Sequence, residues 1–276
     1  MNLDNLAIDT DLADPLEPGA QSASYPDEIV RSWQAALANA KTFDSPYQHF
    51  FITDLFPSQT ASALAAIDAD APILNGVSGK RELHNDERFY FDEAAQQNHA
   101  VASSVANAMQ SAPMVRLLEK FFNVDLTGSY LRLEYAQDRD GFWLQPHTDL
   151  GVKKISMLIY LNDAPEGNNW GTDIYDCDKQ HAKRMSHQAN SALAFTPGQQ
   201  TYHGYEKRAI TGLRKSLILN YVTSEWRERA QLSFPNAPIN TSHLVPNLQV
   251  WPKTRLRISA AISSVTSIEL TSKGRA

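Results

Sequence analysis

The stretch GFWLQPHTD, residues 141–149, is a strand-like run that ends in a histidine and an aspartate one residue apart, His147 and Asp149. Side chains two residues apart on an extended segment point to the same side, so this pair can hold a metal ion. The same spacing occurs earlier in LHND, where His84 and Asp86 flank Asn85. Because a chain with 8 His forms such pairs readily by chance, only a third ligand can decide between them.

The sequence around GFWLQPHTD is typical of an antiparallel β structure. From about residue 128 onward, short strand-like runs alternate with turn segments such as DRDG, NDAPEGNN and TPGQQ. The runs are GSYLRLEYA (128–136), KKISMLIYLN (153–162), GTDIYD (171–176), SALAFTP (191–197) and RKSLILNYV (214–222). Many short strands after a helical half predict a sandwich or barrel supported by helices, an α+β fold.

The helices are expected within the first 122 residues. YPDEIVRSWQAALANA (25–40) has acidic residues in its first turn and apolar residues at helical spacing, namely Ile29, Trp33, Ala36 and Leu37. A strand is predicted in YQHFFITDLF (47–56), a second helix in SQTASALAAIDA (58–69), and a helical region over about 93–122 that breaks near Pro113.

The domain organisation follows from these changes in composition. Residues 1–24 are rich in Asp, Pro, Ser and Gly, and we expect a flexible N-terminal arm. Residues 25–250 are predicted to form a single domain, with helical support over 25–122 and a β core over about 128–223. Residues 251–276 are predicted to be a C-terminal extension.

Composition narrows the class of protein. The formal net charge of −6 argues against nucleic acid as the main partner, because no basic field attracts phosphate. The single cysteine, Cys177, excludes an internal disulfide and a thiolate metal cluster. The N-terminus lacks the basic and apolar regions of a signal peptide, and no apolar run is long enough to span a bilayer. We therefore expect a cytoplasmic protein without a membrane partner.

A third ligand is available for His147 and Asp149. His203 lies at the end of a short strand-like run after a Pro-Gly turn, and Arg214 and Ser216 share one face of the next strand. Two histidines and one carboxylate form the facial triad that binds Fe(II) and leaves positions open for a chelating acid and dioxygen. An arginine beside a hydroxyl suits a carboxylate, because guanidinium donates two parallel charge-assisted hydrogen bonds.

The pattern HTD…H…R-x-S resembles the signature of the Fe(II)/2-oxoglutarate-dependent dioxygenases. In this chain 53 residues separate Asp149 from His203 and ten separate His203 from Arg214, both within the usual range of that family. The flanking segments SPYQHFFITDLFP, EYAQDRDGFWLQPHTD and NSALAFTPGQQTYHGYE are also similar, so the resemblance covers roughly residues 45–223. It implies a double-stranded β-helix, a jelly-roll or cupin-like core, with the metal inside one open end.

The resemblance also implies roles for individual residues. His147, Asp149 and His203 would be the catalytic metal ligands for Fe(II). Arg214, with Ser216 or Tyr135, would bind the cosubstrate 2-oxoglutarate, and ascorbate is a candidate reductant. Related halogenases replace the aspartate by a small residue and so vacate a position for halide. Asp149 therefore favours hydroxylation over halogenation, with desaturation and ring chemistry left open.

The substrate-binding residues are predicted from strand periodicity and position. Tyr130, Arg132 and Glu134 share one face of a strand, either inside the barrel or as a solvated face. Arg81, His84 and Arg88 lie in a charged segment that could form a lid, and Asn220 and Trp226 follow Arg214. These residue types are similar to those of the small bacterial hydroxylases and halogenases of free amino acids, which implies a small polar substrate such as a free amino acid.

Two other functions fit the same pattern. The first is a hydroxylase of peptidyl residues such as prolyl, which needs an open groove. The second is a non-catalytic jelly-roll protein that binds a metal or ligand, although such a protein has no need for an oxoglutarate clamp.

Overall fold

A computed structural model describes residues 25–71, 79, 88–149 and 151–240 of the chain. The predicted N-terminal arm and C-terminal extension lie outside the described residues, as do Arg81 and His84. The single-domain boundary stays a prediction. None of the described helices combines the length and the apolar character that a membrane crossing requires.

The described α-helices all precede residue 123, as predicted. They are α1 (Tyr25–Ala38), α2 (Ser58–Ala65), α3 (Glu93–Asn98), α4 (Ala100–Gln110) and α5 (Ala112–Phe122). The four apolar residues expected to face the core from α1 are its buried residues. The predicted break near Pro113 occurs at Ser111, whose hydroxyl accepts from the Met114 N–H and caps α5, with Pro113 in the first turn where its missing N–H is harmless.

The strands form two antiparallel sheets. Their bounds are β1 (Lys41–Phe43), β2 (His49–Thr53), β3 (Phe89–Tyr90), β4 (Tyr130–Asp138), β5 (Leu144–His147), β6 (Lys153–Tyr160), β7 (Asp173–Tyr175), β8 (His181–Arg184), β9 (Ser191–Phe195), β10 (His203–Tyr205) and β11 (Arg214–Val222). The larger sheet has the order β1-β2-β9-β6-β11-β4-β3 and the smaller has the order β5-β10-β7-β8. The arrangement is the expected α+β fold with a double-stranded β-helix core.

The larger sheet extends beyond the segment in which we expected the β core. β1, β2 and β3 come from the helical half of the chain, and β2 pairs with β9 from Phe50↔Ala194 to Thr53↔Ser191. β2 can pair inside the sheet because both of its faces are apolar. Phe50 and Ile52 pack toward the helices, while Phe51 belongs to a second apolar cluster with residues of β6, β7 and β9.

Strand periodicity divides the larger sheet into two faces with different tasks. Leu131, Leu133 and Tyr135 of β4 pack with the helices in the main apolar core. Arg132 and Glu134 of the same strand point to the opposite face, where they line a cavity between the two sheets. The outer face therefore anchors the helices, and the inner face carries the polar side chains that build the site.

Candidate active site

The cavity between the sheets has a volume of about 440 Å³ and is lined by both polar and apolar side chains from the two sheets. The residues that line it include His147, Asp149, His203, Arg214, Arg132 and Glu134. One cavity thus contains a group of possible metal ligands and several buried charges.

The pairing of β5 with β10 brings the two histidines together. His203 is the register partner of His147, and the ring centroids are 4.4 Å apart. Asp149 follows two residues after His147, with its Oδ1 3.9 Å from Nε2 of His147 and its Oδ2 3.8 Å from Nε2 of His203. Atoms that bind one ion at about 2.1 Å can be at most about 4.2 Å apart, so these distances allow a shared ion.

Both imidazole rings are oriented by the backbone. The Nδ1 of His147 lies 2.9 Å from the Gln145 carbonyl, and the Nδ1 of His203 lies 3.0 Å from the Thr201 carbonyl. A carbonyl oxygen can only accept, so each Nδ1 carries the proton and each Nε2 presents a lone pair. This is the arrangement found in histidines that bind metals.

The electrostatics of the three groups suit a cation. Burial alone would raise the pKa of Asp149, but the Lys153 ammonium at 2.7 Å and the two imidazoles hold it below its ordinary value. Burial, with His147 close by, lowers the pKa of His203 to about 4. At neutral pH the cluster therefore offers an ionised carboxylate and a neutral, unprotonated His203.

A family model of the 2OG-Fe(II) oxygenase superfamily matches residues 132–222, the segment that contains all three side chains. This segment of the chain is thus similar to the 2OG-Fe(II) oxygenase superfamily. The protein is an Fe(II)- and 2-oxoglutarate-dependent dioxygenase, as the sequence predicted. The donor set of two imidazole nitrogens and one carboxylate oxygen, within 4.8 Å of one another, is the one that non-haem Fe(II) prefers.

Solved structures give further similarities to the enzyme. A prolyl 4-hydroxylase from Phytophthora capsici is 15% identical over 78% of this chain and 71% of its own, with a TM-score of 0.49. A prolyl-4-hydroxylase from Pseudomonas putida is 15% identical over 71% and 94%, with a TM-score of 0.46. An oxidoreductase of the 2OG-Fe(II) oxygenase family from Burkholderia pseudomallei is 14% identical over 70% and 90%, with a TM-score of 0.45. No curated protein matches the chain.

Arg214 is held rigidly at the start of β11. Its Nε donates to the Trp170 carbonyl at 2.7 Å, and its Nη1 donates to Oδ2 of Asp138 at 2.5 Å. Nη2 lies 3.4 Å from Oγ1 of Thr172. The Ser216 hydroxyl, two residues on, is buried, has no hydrogen-bond partner among the described residues and is not among the residues that line the cavity. Arg214 does line the cavity, and its fixed guanidinium fits the distal carboxylate of 2-oxoglutarate.

A second buried cluster surrounds Arg132. Its guanidinium donates from Nη2 to Oε2 of Glu134 at 2.8 Å, from Nε to Gln231 at 3.1 Å and from Nη1 to Asn220 at 3.1 Å. The Trp226 ring lies 4.9 Å from the guanidinium carbon. Arg88 reaches the same Glu134 carboxylate from the other side, with its Nε 3.4 Å from Oε1. Arg132 and Glu134 thus face the barrel interior rather than solvent.

Three predicted site residues besides Ser216 do not line the cavity. Tyr135 was expected to bind 2-oxoglutarate, which is wrong. Its hydroxyl donates to the Leu64 carbonyl at 3.0 Å, and its ring is in the helix-facing core. The reason is that Tyr135 and Arg132 are an odd number of residues apart on β4 and so point to opposite faces of the sheet. Tyr130 shares the parity of Arg132 but is not among the residues that line the cavity, and Arg229 stacks 3.9 Å over its ring. Asn220 also lies behind the cavity wall, whereas Arg88 and Trp226 line it.

Several residues of the site were not predicted from the sequence. Asp138 lies opposite Arg214 in the β4–β11 register, and Ser156 lies opposite Asn220 in the β6–β11 register. Both alternate along their strands with residues that face the opposite way, so the sequence indicated which face of the sheet they occupy. It did not indicate which strands lie beside them. Gln231 follows β11 in a short 3₁₀ helix, and no sequence signal indicates its position.

A second cluster of possible ligands is an ion-pair network. Asp173, His181 and Glu206 lie close together on the smaller sheet. However, the Asp173 carboxylate is 2.6 Å from Nε of Arg184 and 2.7 Å from Nη1 of Arg208. Two guanidinium groups already neutralise this carboxylate, so the cluster ties β7 to β8 rather than attracting a metal.

Proposed function

We propose that this oxygenase hydroxylates a C–H bond of a small, charged substrate such as a free amino acid. His147, Asp149 and His203 would hold Fe(II), and Arg214 would hold the distal carboxylate of 2-oxoglutarate. When bound, the metal and cosubstrate supply the oxidising chemistry. One oxygen atom of O₂ enters the substrate, and the other enters succinate as 2-oxoglutarate loses CO₂.

The protein's own residues would place and protect this chemistry. The hydrogen bonds from His147 and His203 to backbone carbonyls orient the ligand nitrogens without using their lone pairs. Arg214 is fixed by Asp138 and Trp170 before any ligand binds, so little ordering would be lost on binding. Asp149 supplies the carboxylate that halogenases lack, which supports hydroxylation.

The observation that carries the substrate proposal is the oppositely charged pair in the cavity wall. Arg132 and Glu134 are 3% and 1% exposed, and both line the same cavity as the metal-binding group. Buried charges are costly, and a cavity wall that presents both signs of charge suits a substrate that is itself charged. An adjacent guanidinium and carboxylate match the carboxylate and ammonium of a zwitterion.

The experiment is a measurement of succinate formed from 2-oxoglutarate by purified protein with Fe(II), ascorbate and O₂. The panel contains free amino acids in one arm and short peptides, including proline-containing ones, in the other. We expect a free amino acid to stimulate succinate formation and to gain one oxygen atom by mass spectrometry.

His147→Ala is the test variant, and His181→Ala, which replaces an exposed histidine of the ion-pair network, is the control. We expect the first to abolish turnover and the second to preserve it. Full activity in His147→Ala would refute the metal site. Stimulation by peptides alone would replace the substrate proposal with the peptidyl-hydroxylase alternative.

A further inference from the structure

A row of hydrogen bonds leads from Asp149 across three strands of the larger sheet. The Ser156 hydroxyl of β6 donates to Oδ2 of Asp149 at 2.6 Å. The Asn220 amide of β11 donates from Nδ2 to that same hydroxyl oxygen at 3.1 Å. Arg132 of β4 donates from Nη1 to Oδ1 of Asn220 at 3.1 Å. Every donor in the row points toward Asp149, so each bond polarises the next in the same direction.

The position of the row follows from strand register. Asn220 is the register partner of Ser156 on one side and of Arg132 on the other, so the three side chains stand abreast on the inward face. Ser156 and Asn220 have 0% exposure and are not among the residues that line the cavity. A serine and an asparagine with no access to solvent or to the cavity depend on their protein partners for hydrogen bonds.

The chemistry of the neighbours decides how the Asn220 amide is oriented. Its Nδ2 faces two acceptors, the Ser156 hydroxyl and the Ile155 carbonyl at 3.2 Å, and its Oδ1 faces the Arg132 guanidinium. The reversed amide would set an oxygen against the carbonyl of Ile155 and an NH₂ group against a cation. Only the observed orientation satisfies all three contacts.

This fixed amide in turn orients the Ser156 hydroxyl. The Ser156 oxygen accepts from Asn220, so its single proton is left to donate to Asp149. Without the amide, the hydroxyl could rotate toward another acceptor and release Oδ2 of Asp149. The orientation of Asp149 therefore depends on a residue that does not touch it.

From these contacts we propose that Ser156 and Asn220 are positioning residues that hold the Asp149 carboxylate in the orientation that binds the metal, with Arg132 as the anchor of the row. This inference rests on the proposed function, because it takes Asp149 as a metal ligand. Outer hydrogen-bond partners of metal ligands typically change metal affinity by about 10–100-fold when they are removed.

The test measures the affinity of the complete chain for Mn²⁺, without 2-oxoglutarate or substrate, by isothermal titration calorimetry. We expect Ser156→Ala and Asn220→Ala each to bind Mn²⁺ about 10–100-fold more weakly than the wild type. Because the two residues act in series, the double variant should bind no more weakly than the weaker single variant. Ser191→Ala is the matched control, since Ser191 is a buried serine of the same sheet whose hydroxyl donates to the Gln188 carbonyl at 2.6 Å.

A second readout separates positioning from a general loss of structure. The visible absorption of the Co²⁺-loaded protein reports the coordination of the ion, and it should change in Ser156→Ala but not in Ser191→Ala. Thermal unfolding checks that each variant is folded. Ser156→Ala removes one oxygen atom and carries the test by itself if Asn220→Ala does not fold.

The possible outcomes distinguish this inference from the proposed function. Wild-type protein that binds no Mn²⁺, or His147→Ala that binds it as tightly as the wild type, would overturn the metal site and the inference with it. If His147→Ala loses Mn²⁺ while Ser156→Ala keeps wild-type affinity and an unchanged Co²⁺ spectrum, the inference alone is overturned.

Discussion

The pair of Arg214 and Asp138 allows structural and cosubstrate-binding roles to be separated. The two side chains are 3% and 4% exposed and are joined by a 2.5 Å hydrogen bond between Nη1 and Oδ2. Arg214→Met would leave the buried Asp138 carboxylate without this counter-charge, a type of change that costs about 3–5 kcal/mol of folding free energy. Adding Asp138→Asn removes the charge, so the double variant should recover most of that loss.

The affinity for 2-oxoglutarate should behave differently. If Arg214 donates two charge-assisted hydrogen bonds to the distal carboxylate, each contributes about 1.5–3 kcal/mol. Their loss of about 3–6 kcal/mol corresponds to binding that is about 10²–10⁴-fold weaker. Asp138→Asn cannot restore a cation, so the double variant should remain as weak as Arg214→Met although its stability has returned.

Two measurements check this reasoning. Urea unfolding gives the stability of each variant, and calorimetric titration of 2-oxoglutarate into Mn²⁺-loaded protein gives its affinity. Arg208→Met is the control. Both arginines lie over the Tyr205 ring, with the guanidinium carbon 4.8 Å from the ring centroid in Arg214 and 3.6 Å in Arg208, but Arg208 pairs with Asp173 and does not line the cavity. Its 2-oxoglutarate affinity should stay within about threefold of wild type. Near-wild-type affinity in the double variant would refute the assignment of Arg214 to the cosubstrate.

Three further predictions concern the framework around the site. In Gly204→Ala the new Cβ would lie 2.6 Å from the Leu144 carbonyl oxygen and would push β10 away from β5. The Mn²⁺ affinity measured by calorimetry should therefore fall at least about tenfold, and the free energy of unfolding should fall by about 1–3 kcal/mol. Trp33→Ala empties a site with 0% exposure in the helix-facing core, and urea unfolding should show a loss of about 3–5 kcal/mol with Mn²⁺ affinity unchanged. Burial, and to a lesser extent the charge of Arg214, lowers the pKa of His187 to about 4. Between about pH 6.5 and pH 4 the unfolded chain therefore binds a proton at this histidine that the folded chain does not. The free energy of unfolding consequently falls as the pH falls through this range. His187→Gln should therefore reduce the pH slope of stability near pH 5 by about 1 kcal/mol per pH unit, and an unchanged slope would contradict this; above about pH 7.5 the slopes should coincide.

Local pattern was sufficient for much of the fold and for the candidate metal-binding group. The apolar spacing of Ile29 and Trp33 marks the buried face of α1, because helical periodicity is a property of neighbouring residues. The spacing of His147 and Asp149 at a strand end, with His203 after a turn, was likewise readable in the sequence, and the structure brings the three together. By contrast, β1, β3 and β8 have only two to four residues and escaped prediction, since so short a run carries little periodicity.

The alternation of side chains along a strand predicted which way a side chain points better than the resemblance to a family motif did. Parity places Arg132 and Glu134 together and Tyr135 on the other face, and the structure agrees. The assignment of Tyr135 to 2-oxoglutarate followed the resemblance against this parity and was wrong. Alternation did not show whether the polar face of β4 is exposed to solvent or faces the barrel interior, because a strand with one polar and one apolar face is compatible with both.

For this oxygenase, residue patterns were therefore enough to locate the helices, the longer strands with their two faces, and the residues that can bind a metal. Which strands are neighbours was decided in the folded structure. That order sets β11 between β6 and β4, and so places Asn220 between Ser156 and Arg132, and Asp138 against Arg214. The physical reason is that side-chain periodicity depends on adjacent residues, whereas these contacts join positions 64 to 88 residues apart through backbone pairing between strands.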